Sequence, residues 1–289
     1  MPNTVYKVGT HNLNINKMKR TIFSLLLAVF TGIVFASCSK NGNDETPVAK
    51  PQTYVLVHGA WQAPYVWDAV RTTLVNNGHK VIVVELPGHG ADQTPAYQLS
   101  LDVYRDKVVE ALSKVEGKVI LVGHSMGGMV ITHVAEKVPA KISKLVYIGA
   151  FVPKSGQALV DLSPLDPTSK LGPSLVPSAD QLTLDVKRED LTNLFIADGS
   201  AASKQLVLDN YRPEPAIPFT TKVNLTSGNF GSVEKVYIKT LQDVVITPGF
   251  QDRMIADAGI KTVYSVNTSH SPFLAQPLAV SDLLLKIGK

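Results

Sequence analysis

Lys118-Val119-Ile120-Leu121-Val122-Gly123-His124-Ser125-Met126-Gly127-Gly128 runs from a buried-strand pattern into Gly-x-Ser-x-Gly. A helical pattern follows, Met129 to Val138, and Pro139 closes it. A serine at the apex of a sharp strand-to-helix turn takes a strained backbone, and its hydroxyl stands clear of the sheet. Glycines flank it because the turn leaves no room for side chains. The pentapeptide alone arises by chance; a strand before it and a helix after it make the signal specific, and a glycine-rich turn with a solvated serine leaves those flanks unexplained. Ser125 is therefore the candidate nucleophile.

A serine hydroxyl attacks poorly unless a base takes its proton, and the oxyanion formed on an acyl carbon needs fixed donors. The Met126 N–H, opening the helix, is one donor. The second is sought in the loop after the first strand, Val57-His58-Gly59-Ala60-Trp61, where glycine permits close backbone approach; the Ala60 N–H is assigned. Trp61 and Met126 adjoin these groups and are the candidate pocket walls.

Working outward, apolar runs of strand length recur at Tyr54–Val57, Val81–Glu85, Val119–Val122, Leu145–Gly149, Lys235–Lys239 and Thr262–Val266. Helix-period segments lie between them, among them Trp67–Asn76 and Leu101–Lys114. This alternation predicts an α/β fold, a mostly parallel sheet of about six strands flanked by helices. It breaks over about 153–233, rich in Pro, Ser and Asp, with helical patterns at Ala179–Ala197 and Ala201–Asp209. Eighty residues exceed a plain loop. A small, mostly helical cap over the carboxyl edge of the sheet is expected, where ligands bind in such folds. Leu182, Leu184, Leu191, Leu194, Phe195 and Ile196 are read chiefly as the cap's own core.

The base must follow a strand at that same edge. His270 does, in the polar loop Asn267-Thr268-Ser269 after the last strand run. His124 and His133 belong to the turn and its helix, His58 buttresses its loop, His79 precedes a strand, His89 sits in Pro-Gly-His-Gly, and His11 lies in the leader. The acid should end the preceding strand, which selects Asp243. Its rivals Asp252 and Asp257 fall in the next helical pattern, Phe250–Ala258, as solvated carboxylates.

Of the 28 basic residues, Lys7, Lys17, Lys19 and Arg20 lie in residues 1–37, where no acid occurs; the rest of the chain balances at 24 of each sign. No surface for tracking nucleic-acid phosphates is implied. One cysteine excludes an intramolecular disulfide and a cysteine-built zinc site; no metal or cofactor is expected. Met18-Lys19-Arg20, the apolar run Thr21 to Ala36 and Ser37-Cys38 describe a secretory signal peptide, too short to span a bilayer permanently. Residues 1–37 are read as leader, with 1–17 a misread start, and 38–52 as a polar tether. The hydrolytic domain is expected over 53–289.

Two resemblances follow. Phe35-Ala36-Ser37-Cys38 resembles the lipobox of bacterial lipoproteins, although Phe35 stands where Leu is usual; it implies lipidation of Cys38 and an exported, membrane-anchored protein of the bacterial cell envelope. From Thr53 onward, VHGAW (57–61), ELPGHGADQTP (85–95), VGHSMGGMV (122–130), KVYIKTLQDVVITP (235–248) and SHSPFLAQP (269–277) resemble α/β-hydrolases of the branch holding plant methylesterases, hydroxynitrile lyases and related bacterial esterases. Asp243 and His270 fall on that family's acid and base. Its lyases carry threonine and lysine where this chain has Gly59 and Ser271, two further pocket positions. The implied activity is hydrolysis of a small carboxylic ester; the alternatives are a slow-turnover ligand receptor and, less favoured, lyase chemistry. Substrate identity and oligomeric state are not legible.

Overall fold

A computed structural model describes residues 50–289. The leader 1–37, Cys38 and most of the tether 38–52 lie outside the described residues. The element order is β1 (Thr53–Val57), α1 (Asp68–Asn76), β2 (Lys80–Val84), α2 (Leu101–Ser113), β3 (Val119–His124), α3 (Gly127–Lys137) and β4 (Ile142–Ile148). The insertion carries α4 (Leu159–Leu162), β5 (Leu175–Pro177), β6 (Thr183–Val186), α5 (Leu191–Phe195), α6 (Ala201–Asn210) and β7 (Glu214–Pro215). The chain ends with β8 (Glu234–Thr240), α7 (Pro248–Asp257), β9 (Thr262–Val266), α8 (Pro272–Ala275) and α9 (Pro277–Ile287).

Six strands form one parallel sheet in the order β2-β1-β3-β4-β8-β9. Strand side chains alternate between two cores. Val55, Val57, Leu121, Leu145, Tyr147 and Tyr237 pack with Tyr104, Val108 and Leu112 of α2 and Met129 and Val130 of α3. Tyr54, Leu56, Ile120, Val122, Val146, Ile148, Val236 and Ile238 pack with Val70 and Leu74 of α1 and Val280, Leu284 and Ile287 of α9. Both faces are covered, which is why these strands read as unbroken apolar runs. The 101/104/108/112 and 280/284/287 spacings place one stripe of each helix on the sheet. The Ser100 side chain caps α2 by accepting from the Val103 N–H.

All six expected sheet strands are present. From β1 the chain goes outward to β2, then returns to β3 on the other side, so the crevice at the carboxyl ends of β1 and β3 is the switch point of the sheet. The insertion leaves after β4 and returns at β8, which pair directly. Its composition corrects the helical expectation. Ala201–Asn210 is a helix, but the pattern at 179–197 splits, with only Leu191–Phe195 α-helical. Leu182 and Leu184 alternate with Thr183 and Asp185, a two-residue period, and this segment joins β5 and β7 in a three-stranded antiparallel sheet.

Leu284 and Leu278 lie on the same helix with 0% and 66% exposure. Leu284→Ala should cost about 2–5 kcal/mol and lower the melting temperature by several degrees in a thermal scan. Leu278→Ala should stay within about 0.5 kcal/mol of the parent. Equal melting temperatures for the two would contradict the placement of α9 on the sheet.

Candidate active site

β3 is buried throughout and delivers Ser125 at its carboxyl end with φ 51°. Left-handed backbone at a non-glycine residue is costly and persists where neighbours over-determine it. Here the Ser125 N–H donates to the Ile148 carbonyl at 3.4 Å, and the Ser125 carbonyl accepts from the Gly128 and Phe151 N–H groups at 3.0 and 3.2 Å. The loop after β1 passes directly against this turn. A Cβ at Gly59 would lie 2.8 Å from Ser125 Cβ, and one at Gly127 would lie 2.8 Å from the His58 carbonyl oxygen. Only glycine at both places permits that approach. It brings Ala60 and Met126 to one wall of a cavity that Ser125 also lines. Neither the Ala60 nor the Met126 N–H donates to another protein group among the described residues, the state required of oxyanion donors.

Asp243 heads the turn after β8. Its Oδ1 accepts from the Val245 and Ile246 N–H groups at 2.8 and 3.0 Å, and its Oδ2 accepts from the Thr240 hydroxyl at 2.8 Å. The same Oδ2 faces His270 Nδ1 at 2.8 Å. Both side chains are buried. An imidazole so held points Nδ1–H at the carboxylate and leaves Nε2 to exchange a proton. The rivals behave as solvated charges: Asp252 pairs with Lys239, and Asp257 lies 3.1 Å from Lys154. No direct hydrogen bond joins the Ser125 hydroxyl to His270 among the described residues. The two nevertheless share one sheet edge, since His124, next to Ser125, donates through Nε2 to the His270 carbonyl at 2.8 Å. Catalytic hydrogen bonds are commonly long in unliganded sites and tighten with substrate.

The other histidines among the described residues make structural contacts. The Leu86 N–H donates to His58 Nε2 at 3.2 Å, and His58 Nδ1 therefore donates to the Gly59 carbonyl at 2.9 Å. Burial, with the nearby His89, pushes His58 down to about 3. Burial, then His270, holds His124 well below the ordinary histidine range. His133 meets Asp102, and His79 accepts from the Gln52 N–H.

The cavity is mostly apolar. Trp61 and Met126 line it as expected. Gly59 and Ser271 do not: Gly59 lies beneath the nucleophile, and the buried Ser271 hydroxyl accepts from Gln62 Nε2 at 2.8 Å. Of the apolar cap residues singled out in the sequence, Leu184 lines the cavity and Leu182 does not, while Leu191, Leu194, Phe195 and Ile196 are buried outside its lining. Leu159, Leu175 and Phe219 line it and carry no sequence signal that separates them from core. Asp166 and Ser163 are polar exceptions in the lining. Asp166 is occupied, accepting from the Thr247 N–H and hydroxyl at 2.8 and 2.7 Å. A further buried carboxylate, Glu214, reaches Trp61 from the cap.

The sequence matches the alpha/beta hydrolase family over residues 54–283. It is 31% identical over 255 residues to methylesterase 17 of Arabidopsis thaliana, covering 83% of this chain and 92% of that protein. It is 26% identical over 261 residues to the alpha-hydroxynitrile lyase of the same plant, covering 81% and 96%. Among solved structures, an extracellular alpha/beta-hydrolase from a Paenibacillus species has a TM-score of 0.71 at 28% identity, covering 83% of this chain and 100% of that one. That enzyme is described as sharing structural and functional homology with tobacco salicylic acid binding protein 2. The resemblance drawn from the motifs is borne out.

Asp243→Asn should lower turnover of a chromogenic short-chain ester by on the order of 10³–10⁴, because the amide presents the wrong partner to His270 Nδ1–H or to the Val245 and Ile246 N–H groups. Asp252→Asn should leave the rate within about twofold. Steady-state kinetics on the pair decides which carboxylate serves.

Proposed function

The chain belongs to the alpha/beta hydrolase family, and we propose that it is a serine hydrolase cleaving a small carboxylic ester through an acyl-enzyme. The observation that carries this reading is the strained Ser125 sharing one cavity with Ala60 and Met126, whose backbone N–H groups are unpartnered among the described residues, at the sheet edge where His270 hydrogen-bonds Asp243. In the proposed reaction His270 Nε2 takes the Ser125 proton as Oγ attacks the acyl carbon. The Ala60 and Met126 N–H groups hold the oxyanion. As the carbon–oxygen bond to the alcohol breaks, His270 returns the proton to the departing alkoxide. Water, deprotonated by the same nitrogen, then attacks the acyl-serine and releases the acid and free Ser125. Asp243 stays ionised throughout; it fixes the imidazole tautomer and stabilises the imidazolium.

The mostly apolar lining, without a cationic side chain among the described residues, favours neutral esters over substrates bearing a carboxylate or phosphate. Lyase chemistry is disfavoured by Ser271, which supplies no positive charge to balance a leaving cyanide anion, and whose hydroxyl is occupied by Gln62.

Ser125→Ala should reduce hydrolysis of p-nitrophenyl butyrate by at least about 10⁴-fold with an unchanged melting temperature. Equal turnover by mutant and parent would end the hypothesis, and release of one equivalent of product followed by silence would favour a receptor.

We further propose that Cys38 is lipidated and tethers the domain to the bacterial cell envelope through residues 38–52. Two or more acyl chains, at about 0.8 kcal/mol per buried methylene, anchor a protein stably. Cys38→Ala should abolish labelling by a clickable palmitate analogue; labelling that survives the substitution refutes the anchor.

A further inference from the structure

Trp61 follows Ala60 directly and has φ 58°, a conformation that a bulky L side chain rarely adopts. Two neighbouring strands of the cap hold it there. Glu214 Oε2, on β7, accepts from the Trp61 N–H at 2.8 Å. The carbonyl of Leu184, the β6 residue in register with Glu214, accepts from the indole Nε1–H at 2.8 Å. The aromatic ring is also packed by the cap, with Phe195 and Phe219 centroids at 5.6 and 6.0 Å.

Glu214 is fully buried, and a buried carboxylate must be paired or hydrogen-bonded. Its Oε2 also faces His89 Nε2 at 2.8 Å, and the Tyr104 hydroxyl approaches Oε1 at 3.5 Å. His89 Nδ1 faces the Pro87 carbonyl at 3.1 Å, an atom that can only accept. With Glu214 ionised, both ring nitrogens of His89 donate, and the ring is an imidazolium. Although burial opposes this charge, the facing carboxylate outweighs it and raises the His89 pKa. The carboxylate is thus held by the loop after β2 and by α2, and spends its remaining bond on the backbone one residue past the proposed oxyanion donor.

We propose that Glu214 is a positioning residue: from the cap it fixes the Trp61 backbone and so aims the Ala60 N–H at the acyl oxygen of an ester bound to Ser125. This rests on the hydrolase reading above. The cap and the loop after β1 then form one unit, and the oxyanion hole is complete only with the cap seated.

Two conservative variants separate reach from charge. Glu214→Gln keeps an oxygen at full reach and loses the charge; Glu214→Asp keeps the charge and withdraws the oxygen by one methylene. With rates expressed per serine titratable by a fluorophosphonate, Glu214→Gln should stay within about threefold of the parent. Glu214→Asp should lose about 10–100-fold in kcat at nearly constant KM, somewhat less than the 10²–10³ that follows outright removal of an oxyanion donor. Affinity for a trifluoromethyl ketone, whose adduct with serine carries the oxyanion, should fall by the same factor, while affinity for the unfluorinated ketone should not. A Glu214→Asp protein with parental kcat per titrated serine, or equal losses in the two variants, overturns the proposal. A parent with no titratable serine and no turnover would instead defeat the hydrolase reading itself.

Discussion

The left-handed backbone at Ser125 is the constraint on which the rest of the arrangement depends. With Ser125 at φ 51° the chain reverses from β3 into α3 within two residues, Ser125 and Met126, and the strain is borne by the Ile148, Gly128 and Phe151 backbone bonds around it. The reversal points the N-terminus of α3 into the crevice between β1 and β3. The Met126 N–H, at the positive end of the helix dipole, is thereby set beside the hydroxyl. Side chains at residues 59 or 127 would push the β1 loop away and carry Ala60 with it. One backbone torsion therefore dictates glycine at two distant positions and the location of both proposed oxyanion donors.

The sheet makes this strain affordable. Its strands are clamped by two cores, one on each face, so their carboxyl ends stand as rigid posts. Ser125 caps β3, Asp243 follows β8 and His270 follows β9. The order β3-β4-β8-β9 puts them along one edge. The cap is threaded between β4 and β8, which are direct partners, and its length does not alter their register. A pocket lining can change there without displacing the residues beneath it.

How much of this was legible follows from the range of each interaction. Strands buried on both faces read directly as apolar runs, and Thr262–Val266 matches β9 residue for residue. His270 and Asp243 were legible because the alternation assigns each to the end of a strand, and strand ends share an edge. The cap was not. Its strands are two to four residues long, below the length at which periodicity separates strand from helix. Glu214 was invisible for a different reason: its partners Trp61, His89 and Tyr104 lie more than a hundred residues away, and a glutamate between two prolines ordinarily reads as a solvated loop residue. Gly59 and Ser271 were placed in the pocket by family position; the side-chain volume they lack or hide puts them behind it.

The charge state of the buried histidines bears on the proposed chemistry. His270 must become an imidazolium when Ser125 gives up its proton, and the ring of His124 lies only 4.6 Å from it, centroid to centroid. Were His124 also charged, the repulsion at that separation would be about 3–4 kcal/mol at an effective dielectric of about 20, or roughly several hundredfold in the proton-transfer equilibrium. Burial depresses the His124 pKa, and its one ring proton is committed to the His270 carbonyl. His124 therefore holds His270, the proposed base, without competing for its charge. The positive histidine of the cluster, His89, is instead placed against Glu214, with the neutral His58 ring tilted against it at 4.8 Å, centroid to centroid. Positive charge is thus favoured where a carboxylate faces the ring: at His89 beside Glu214, and, in the proposed reaction, transiently at His270 beside Asp243.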